Sequence, residues 1–310
     1  MTTTTPGTEG QGAAALGRFV EDMKAAEYHA DPCRVPSLSS SLAKVVVTRS
    51  MRHAWLRHPK MGGRQIEPTE DMDTGSLAHA IMLGEGREIV AVDAKDWRTN
   101  VAKEAREAAR AEGKNPVLAR KLDDARFLVD SLQANLSDMG IVLNGASELV
   151  VLWSEDTASG ECSCRGMLDH WIESEAHIYD LKFTDDANPE YLPSHVVSMG
   201  YDIQGAAYTS AVEAAAPWLT GRVRFTRLFC ELETGVIVPD EQRGAMAELG
   251  RSRWARACER WARALRDRSF PGYVTAPTTI EPTTFALERE QTARMGAGWG
   301  EQWKALEATL

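Results

Sequence analysis

The spacing of apolar residues separates a central block of strands from helical segments on either side. A continuous apolar run covers residues 149–153, and two further apolar segments cover residues 167–172 and 178–183. Short apolar runs without helical periodicity are typical of buried strands. The sequence therefore predicts a sheet built around these three segments.

Helical periodicity and helix-start signals surround this block. Ser39 and its neighbours are typical N-cap residues, and the helix they start is predicted to end before Pro59. Helices are predicted at residues 40–58, from residue 74, over 95–139 with an interruption near 113–116, over 193–215 and over 240–268, and a further strand over 222–232. The fold class expected from this order is α/β, with a central sheet flanked by helices.

Composition suggests one main domain between two tails. We expect residues 1–30 to form a flexible N-terminal tail, residues 31–275 the domain, and residues 276–310 a C-terminal tail. No apolar run approaches the length of a membrane span, and the first residues lack the regions of a signal peptide. A soluble, cytoplasmic protein without membrane contact is the expectation.

Charge and cysteine content exclude some classes of function. A formal net charge of -10 argues against bulk electrostatic coating of nucleic acid, although an acidic protein can still carry a local basic groove. The 5 cysteines are odd in number and form no C-x-x-C motif. Neither a disulfide framework nor a zinc or iron–sulfur site is therefore favoured, and buried free thiols are expected.

The strongest chemical signal is a pair of acids followed by a lysine on one predicted hairpin. If Ser174 and Glu175 form a two-residue turn, Asp169 lies directly opposite Asp180, and Lys182 shares the face of Asp180. One lysine cannot neutralise two buried carboxylates, so the pattern favours a divalent metal such as Mg²⁺ or Mn²⁺. The alternative is a longer turn with a shifted register, in which Asp169 and Lys182 form an ordinary exposed ion pair.

Further candidates lie at helix and strand positions near this hairpin. Glu148, at the start of the first strand, could reach the same cluster, and His79 could bind the metal or a phosphate, or be an ordinary core or surface histidine. Gln204 and Tyr208 share a helix face and could orient Lys182, water or a phosphate oxygen. A packed aromatic stripe is the alternative for that face.

Arginines recur at helical spacing in the last predicted helix of the domain. They are Arg253, Arg256, Arg260 and Arg263. Their face is either solvated or a phosphate-binding wall, to which Arg222, Arg224 and Arg227 could add.

Taken in order, these residues resemble the RecB-like branch of the PD-(D/E)xK nuclease superfamily, and within it the RecE-type phage exonucleases (exodeoxyribonuclease eight). The resemblance covers residues 38–273. Its parts are Leu38-Ser-Ser-Ser-Leu42, His58-Pro59, Gly75-Ser-Leu-Ala-His79, Glu148, the segment from Arg165 to Asp169, Asp180-Leu-Lys182, the segment from Gly200 through Gln204 to Tyr208, and Phe270-Pro-Gly-Tyr273. Two positions depart from the family pattern: Met167-Leu168 replaces an arginine and proline, and Phe183 replaces the first of two threonines.

The resemblance implies a fold and a set of site residues. The fold would be a restriction-endonuclease-like core with a central mixed β-sheet flanked by helices. Asp169 and Asp180 would bind Mg²⁺, with Mn²⁺ substituting, helped by the carbonyl of Leu181. Glu148 and His79 would complete or flank the cluster, Lys182 would activate the attacking water, and the helix with Gln204 and Tyr208 would support them.

The same resemblance implies an activity and partners. The chain would be an exonuclease that degrades linear double-stranded DNA from its ends, 5′ to 3′, leaving 3′ single strands for recombination by an annealing partner protein. Ring-shaped homo-oligomers occur among such enzymes. The alternatives are an endonuclease or single-strand nuclease with the same site, or a non-catalytic DNA-binding module on this fold.

Overall fold

The computed structural model describes residues 17–62, 73–84, 88–274 and 276–307. The chain divides into two compact units, Met1–Gly272 and Tyr273–Leu310. The first unit contains every candidate site residue.

A mixed sheet forms the centre of the first unit. The strands are β1 Gly17–Val20, β2 Ile89–Val92, β3 Asn115–Leu118, β4 Ala146–Thr157, β5 Gly160–Ile172, β6 His177–Thr184, β7 Arg224–Glu231 and β8 Ile237–Glu241. The main sheet has the order β1-β4-β5-β6-β7-β8, and β2 pairs with β3 separately. In the main sheet β6 and β7 run parallel and the other neighbours antiparallel. This confirms the predicted mixed sheet.

Helices cover both faces of the main sheet. They are α1 Ala25–His29, α2 Ser40–Thr48, α3 Met51–Arg57, α4 Thr74–Leu83, α5 Asn100–Ala111, α6 Ala119–Asp138, α7 Leu192–Met199, α8 Tyr201–Ala215 and α9 Gly244–Asp267, with α10 Thr284–Glu307 in the second unit. Apolar residues of α2, α3, α8 and α9 pack on one face, and those of α4 and α6 pack on the other. Within the described ranges, no helix has the length and apolar character that crossing a membrane requires.

Both expected tails contain regular structure. Residues 17–30 were expected in the flexible tail, yet β1 pairs along β4 at the sheet edge and α1 follows it. Residues 1–16 lie outside the described residues. In the second unit α10 is 24 residues long, whereas a tail was expected there.

The single helix predicted over residues 40–58 is two helices. The chain leaves the helical conformation at Arg49, and Ser50 then caps α3, its hydroxyl accepting a hydrogen bond from the backbone N–H of His53 at 3.4 Å. Serine favours such caps because its side chain replaces a missing backbone acceptor. The spacing of apolar residues continues from α2 into α3, so it did not indicate that Ser50 starts a second helix.

The β5–β6 hairpin keeps the predicted register with a different turn. The prediction of a two-residue turn at Ser174 and Glu175 was wrong. Glu173–Glu175 form a short 3-10 turn, and Ala176 follows with a left-handed backbone conformation, φ 48°. Even so, the ladder pairs His170 with Tyr179, as the predicted register requires. The four-residue connection preserves the register because it adds one residue to each side of the turn.

Candidate active site

Asp169 lies where β5 and β6 stop pairing. The ladder between the two strands ends at His170 and Tyr179. Beyond that point the backbone N–H of Leu181 donates to Asp169 Oδ2 at 2.9 Å. The Asp169 carboxylate therefore stands in for a backbone acceptor, and Asp169 and Asp180 lie on strands that diverge at this point.

A histidine from the helical layer holds the other side of Asp169. Asp73 caps α4 by accepting a hydrogen bond from Ser76, and the helix carries His79 to the sheet. His79 Nε2 lies 3.2 Å from Asp169 Oδ2. Burial opposes ionisation of both groups, but their mutual contact lowers the pKa of Asp169 and raises the pKa of His79.

Asp180 is fully buried and is held by a different set of groups. Gln204 Nε2, on α8, donates to Asp180 Oδ1 at 2.8 Å. The ammonium of Lys182 contacts Asp180 Oδ2 and lies 4.9 Å from the ring centre of Tyr201. Burial raises the pKa of Asp180 to about 6, and the nearby charge of Asp169 acts in the same direction, whereas Lys182 opposes the rise. The site thus holds a carboxylate whose charge is only partly compensated.

Glu148 lies opposite Asp169 in the register of β4 and β5. The flanking pairs are Ser147 with His170 and Leu149 with Leu168, while Glu148 itself has φ 47° and leaves the ladder. A left-handed backbone is unfavourable for a residue with a side chain, and such strain is often found at functional sites. The carboxylate of Glu148 acts on His79, raising its pKa. Glu148 therefore belongs to the same cluster as Asp169 and His79.

Tyr208 lies in the core next to this cluster. Its ring packs edge-on against Phe225, with ring centres 6.2 Å apart, and lies against Gly166. A Cβ at position 166 would lie 3.0 Å from Tyr208 Cε1, so glycine allows the close approach. Burial raises the pKa of Tyr208 well above its usual value, so the phenol is neutral. Its predicted contact with a phosphate stays a prediction.

The acid cluster has the donor chemistry for a hard divalent cation. Asp180 Oδ2 is buried and is contacted by the Lys182 ammonium, and no other donor among the described residues reaches it, which leaves a lone pair available. Carboxylate oxygens are preferred ligands of Mg²⁺ and Mn²⁺. Lys182 supplies the positive charge at this oxygen. The ligand types of Asp169, Asp180 and Glu148 suit such an ion, but their ligand atoms do not all lie within 4.8 Å of one another in the described residues. These carboxylates and the Leu181 carbonyl stay predicted ligands.

A basic groove borders the site. The sequence analysis did not predict this groove. Its volume is about 500 Å³, with Lys182, Tyr201 and Gln204 on one side. The other side is formed by α2 and α3, which contribute Lys44, Arg49 and Arg57. In the part of the chain that the structure describes, none of these three cations pairs with a carboxylate. Lys44 lies in α2, Arg49 at its end and Arg57 in α3. Because they belong to two different helices, the helical periodicity of the sequence did not group them on one face.

Of the two alternatives for the arginine face, the phosphate-binding wall is not favoured for four of the arginines, because acids hold them. Arg253 is buried and Nη1 donates to both carboxylate oxygens of Asp202 at 2.8 Å. Arg227 is fully buried against Asp240. In addition Arg224 pairs with Glu241, and Arg263 pairs with Glu259. These guanidinium groups bind neighbouring elements and are not free for phosphates.

Comparison with known families supports the same region. Residues 47–222 match the family described as a PDDEXK-like domain of unknown function (DUF3799). The match covers more than half of the chain and includes the whole acid cluster, Lys182 and Gln204. The chain belongs to this PDDEXK-like family.

One solved structure shares the fold of this chain. The crystal structure of a putative exonuclease from Eubacterium rectale matches with a TM-score of 0.56 at 12% identity, over 85% of this chain and 96% of that one. A phage-related exonuclease from Haemophilus somnus 129PT matches 64% of this chain and 96% of its own at 16% identity, with a TM-score of 0.28 that is too low to carry an argument. No curated protein sequence matches the chain. The PDDEXK-like protein therefore has a nuclease-type fold.

Proposed function

We propose that this PDDEXK-like protein is a metal-dependent deoxyribonuclease that uses Asp169, Asp180 and Lys182. The observation that carries the proposal is the buried Asp180 carboxylate, whose Oδ2 is contacted, among the described residues, only by the ammonium of Lys182 on the same strand face. The family match across this site supports it. A site with uncompensated acids and a neighbouring lysine suits hydrolysis of an anionic ester.

The chain's own residues have separable roles in this proposal. Gln204 fixes the Asp180 carboxylate through Oδ1, and His79 fixes Asp169 through Oδ2. Lys182 lies where it can hold a water near the acids and take part in proton transfer. A divalent ion bound there would neutralise phosphate charge and lower the pKa of bound water. Tyr208 supports this face from the core.

The basic groove gives the proposal its substrate class. Lys44, Arg49 and Arg57 face the same groove as Lys182, so a polynucleotide's phosphates could lie across from the acids. Lys44, Arg49 and Arg57 pair with no carboxylate of the described ranges, and such cations beside a cluster of acids are expected for a protein that binds a polyanion and cleaves it. A small neutral substrate would need no such wall.

We further propose an exonuclease of the RecE type that acts in the cytoplasm on ends of double-stranded DNA. The sequence resemblance supports this, and so does the fold shared with a protein described as a putative exonuclease. In this proposal Mg²⁺ is the cofactor with Mn²⁺ as substitute, digestion runs 5′ to 3′, and the 3′ strands pass to an annealing protein during recombination. A homo-oligomer is part of the same proposal.

Labelled DNA tests the proposed substrate. With Mg²⁺, the wild-type chain should release mononucleotides from a 5′-labelled linear duplex and leave a covalently closed circle intact. Nicking of the circle would identify an endonuclease, and digestion of single strands alone would identify a single-strand nuclease. Binding without cleavage would favour the non-catalytic module.

A further inference from the structure

Three cysteine side chains meet between β5 and α9. Cys162 and Cys164 share one face of β5, and Cys258 reaches them from α9. Their sulfur atoms lie within 4.8 Å of one another, and all three side chains are buried. Across the ranges that the structure describes, this is the only group of three His, Cys, Asp or Glu ligand atoms that converges so closely.

The sulfur spacing matches that of a thiolate metal site. Cys164 Sγ lies 3.8 Å from Cys162 Sγ. Sulfurs bound to one Zn²⁺ at about 2.3 Å in tetrahedral geometry lie about 3.8 Å apart. Little movement of the two strand cysteines would therefore be needed to bind such an ion. Because Cys164 and Asp169 are five residues apart on β5, the cluster lies about 16 Å along the strand from the acid site.

A carboxylate held by three hydrogen bonds lies beside the cluster. In the β4–β5 ladder Glu155 lies opposite Cys162. Glu155 Oε1 is held by three donors, the indole N–H groups of Trp153 and Trp254 and the hydroxyl of Ser210. A fixed carboxylate near Cys162 disfavours a thiolate there unless a cation is bound.

The thiols are also polarised among themselves. Hydrogen bonds from Cys164 and Cys258 lower the pKa of Cys162 to about 5. Burial raises the pKa of Cys164 and of Cys258. The three thiols therefore interact directly with one another inside the buried cluster.

We propose that Cys162, Cys164 and Cys258 bind a thiophilic d¹⁰ metal ion, Zn²⁺ being the natural candidate, at a site separate from the acid cluster. Each of the three thiols releases its proton to water as its sulfur donates a lone pair, and no oxidant or reductant takes part. A water or another small ligand completes the tetrahedron. The bound ion would join α9 to β5 and so stabilise the packing of the last helix of the unit.

Cadmium tests the site because its thiolate complexes absorb in the ultraviolet, whereas cadmium bound to carboxylates does not. The full chain carrying Asp180→Asn, which weakens the acid site, is stripped with chelator under reducing conditions and titrated with Cd²⁺ and Zn²⁺. We expect one equivalent of Cd²⁺ to give thiolate absorption, and Cd²⁺ added to the zinc-loaded protein to displace one equivalent of Zn²⁺. Zn²⁺ should also raise the Tm, since a ligand that binds the native state stabilises it.

Variants separate this site from other thiols. Cys258→Ser and Cys162→Ser should lower Cd²⁺ affinity at least tenfold and remove the rise in Tm. Cys230→Ser is the matched control, because Cys230 is equally buried but lies on β7 outside the cluster. It should bind as the unsubstituted protein does.

The result that overturns the proposal needs only the folded, unsubstituted chain. If stripped protein gives no thiolate absorption with Cd²⁺, the three thiols are simply apolar core residues. Absorption that is unchanged in Cys162→Ser and Cys258→Ser would equally reject the assignment. Should a serine variant fail to fold, X-ray absorption of the zinc-loaded wild type decides by counting three sulfur ligands at about 2.3 Å.

Discussion

At the scale of single residues, the two acids of the site are held in opposite ways. Asp169 is fixed by the imidazole of His79 and a backbone N–H, and those contacts lower its pKa although burial opposes this. Asp180 is held by side chains alone, Gln204 and Lys182, and burial raises its pKa to about 6. Asp180 therefore has more to gain from a cation than Asp169 does.

Replacing His79 by asparagine should weaken metal use more than it weakens folding. The change removes the contact that orients Asp169, and loss of such an outer partner usually lowers metal affinity 10- to 100-fold. We expect the Mg²⁺ concentration for half-maximal cleavage to rise by about that factor, with activity recovering at high Mg²⁺. His29→Asn, at an exposed histidine of α1, is the control. An unchanged Mg²⁺ dependence in His79→Asn would show that His79 does not orient Asp169 for metal binding.

Glu148 offers a test of strain at the same site. Because its φ is 47°, Glu148→Gly should be more stable than Glu148→Ala by about 1 kcal/mol. Both variants lose the carboxylate, so both should lose activity to a similar extent. Urea unfolding and cleavage assays on the two variants measure this. Equal stability of the two, or retained activity, would count against a strained acid in the cluster.

The sequence pattern predicted well which side chains lie near one another. It predicted less well which ion-pair partner each charged side chain has. Helical spacing and strand alternation were sufficient to bring Gln204 and Lys182 to the face of Asp180. The same reasoning failed for Arg253, whose acid partner Asp202 lies on a different helix. Periodicity gives the direction of a side chain from its own element, but ion pairs between elements depend on packing that a single sequence does not encode locally.

At the scale of elements, a buried ion cluster ties the segment before α2 to the sheet. Asp31 accepts hydrogen bonds from the backbone N–H and the hydroxyl of Ser37. It also lies 3.2 Å from His58 Nε2, at the end of α3, and 3.6 Å from Arg165 Nη1, on β5. This cluster fixes α2 and α3, and therefore one wall of the basic groove.

Asp31→Asn should destabilise the protein in a pH-dependent way. Burial opposes ionisation of Asp31, yet the contacts with His58 and Ser37 hold its pKa well below the usual value. A lowered folded-state pKa stabilises the fold above the unfolded pKa of about 3.9, and this contribution is lost as pH falls further. We expect a loss of about 3–5 kcal/mol at pH 7, as for a broken buried ion pair, and a smaller loss near pH 3.

Chemical denaturation of both proteins at the two pH values measures that difference. Asp22→Asn, at an exposed acid near β1, serves as the control and should show little change at either pH. A penalty for Asp31→Asn that is equal at both pH values would mean that the charge of Asp31 contributes nothing to stability.

The elements were predictable where hydrophobic runs were long and less so where pairing was distant. The long strands β4 to β6 and the helices α4 and α9 follow clear patterns. The four residues of β1 have no such pattern, because their strand conformation depends on pairing with β4 more than a hundred residues away. The cysteine cluster was missed for the same reason, since Cys258 joins the other two only through helix packing.

At the scale of the whole molecule, an acidic chain carries a local basic groove. The formal net charge is -10, yet Lys44, Arg49 and Arg57 share one groove with Lys182. The net charge therefore predicted weak bulk binding to DNA. It could not predict where on the surface a local group of basic side chains lies. Local fields beside low-dielectric walls can concentrate a polyanion even on an acidic protein.

The double variant Arg49→Ala and Arg57→Ala should weaken DNA binding without harming the acid cluster. Both side chains are exposed, so the fold should be retained. Each lost phosphate contact should lower the slope of log affinity against log salt by about 1, and KM should rise more than kcat falls. Arg126→Ala, at an exposed position of α6, is the control. A salt slope equal to that of the wild type would show that DNA does not pass through the groove.

The most direct test of the proposed nuclease activity is Mg²⁺-dependent cleavage of linear duplex DNA. The proteins compared are the wild type, Asp180→Asn and Lys182→Met. Each is first shown by circular dichroism to be folded. The wild type should cleave, and both variants should lose at least about 100-fold in rate, as expected when a metal ligand or a proton-transfer group is removed. Cleavage by either variant at the wild-type rate, or no cleavage by the folded wild type with Mg²⁺ or Mn²⁺, would contradict the assignment of this site.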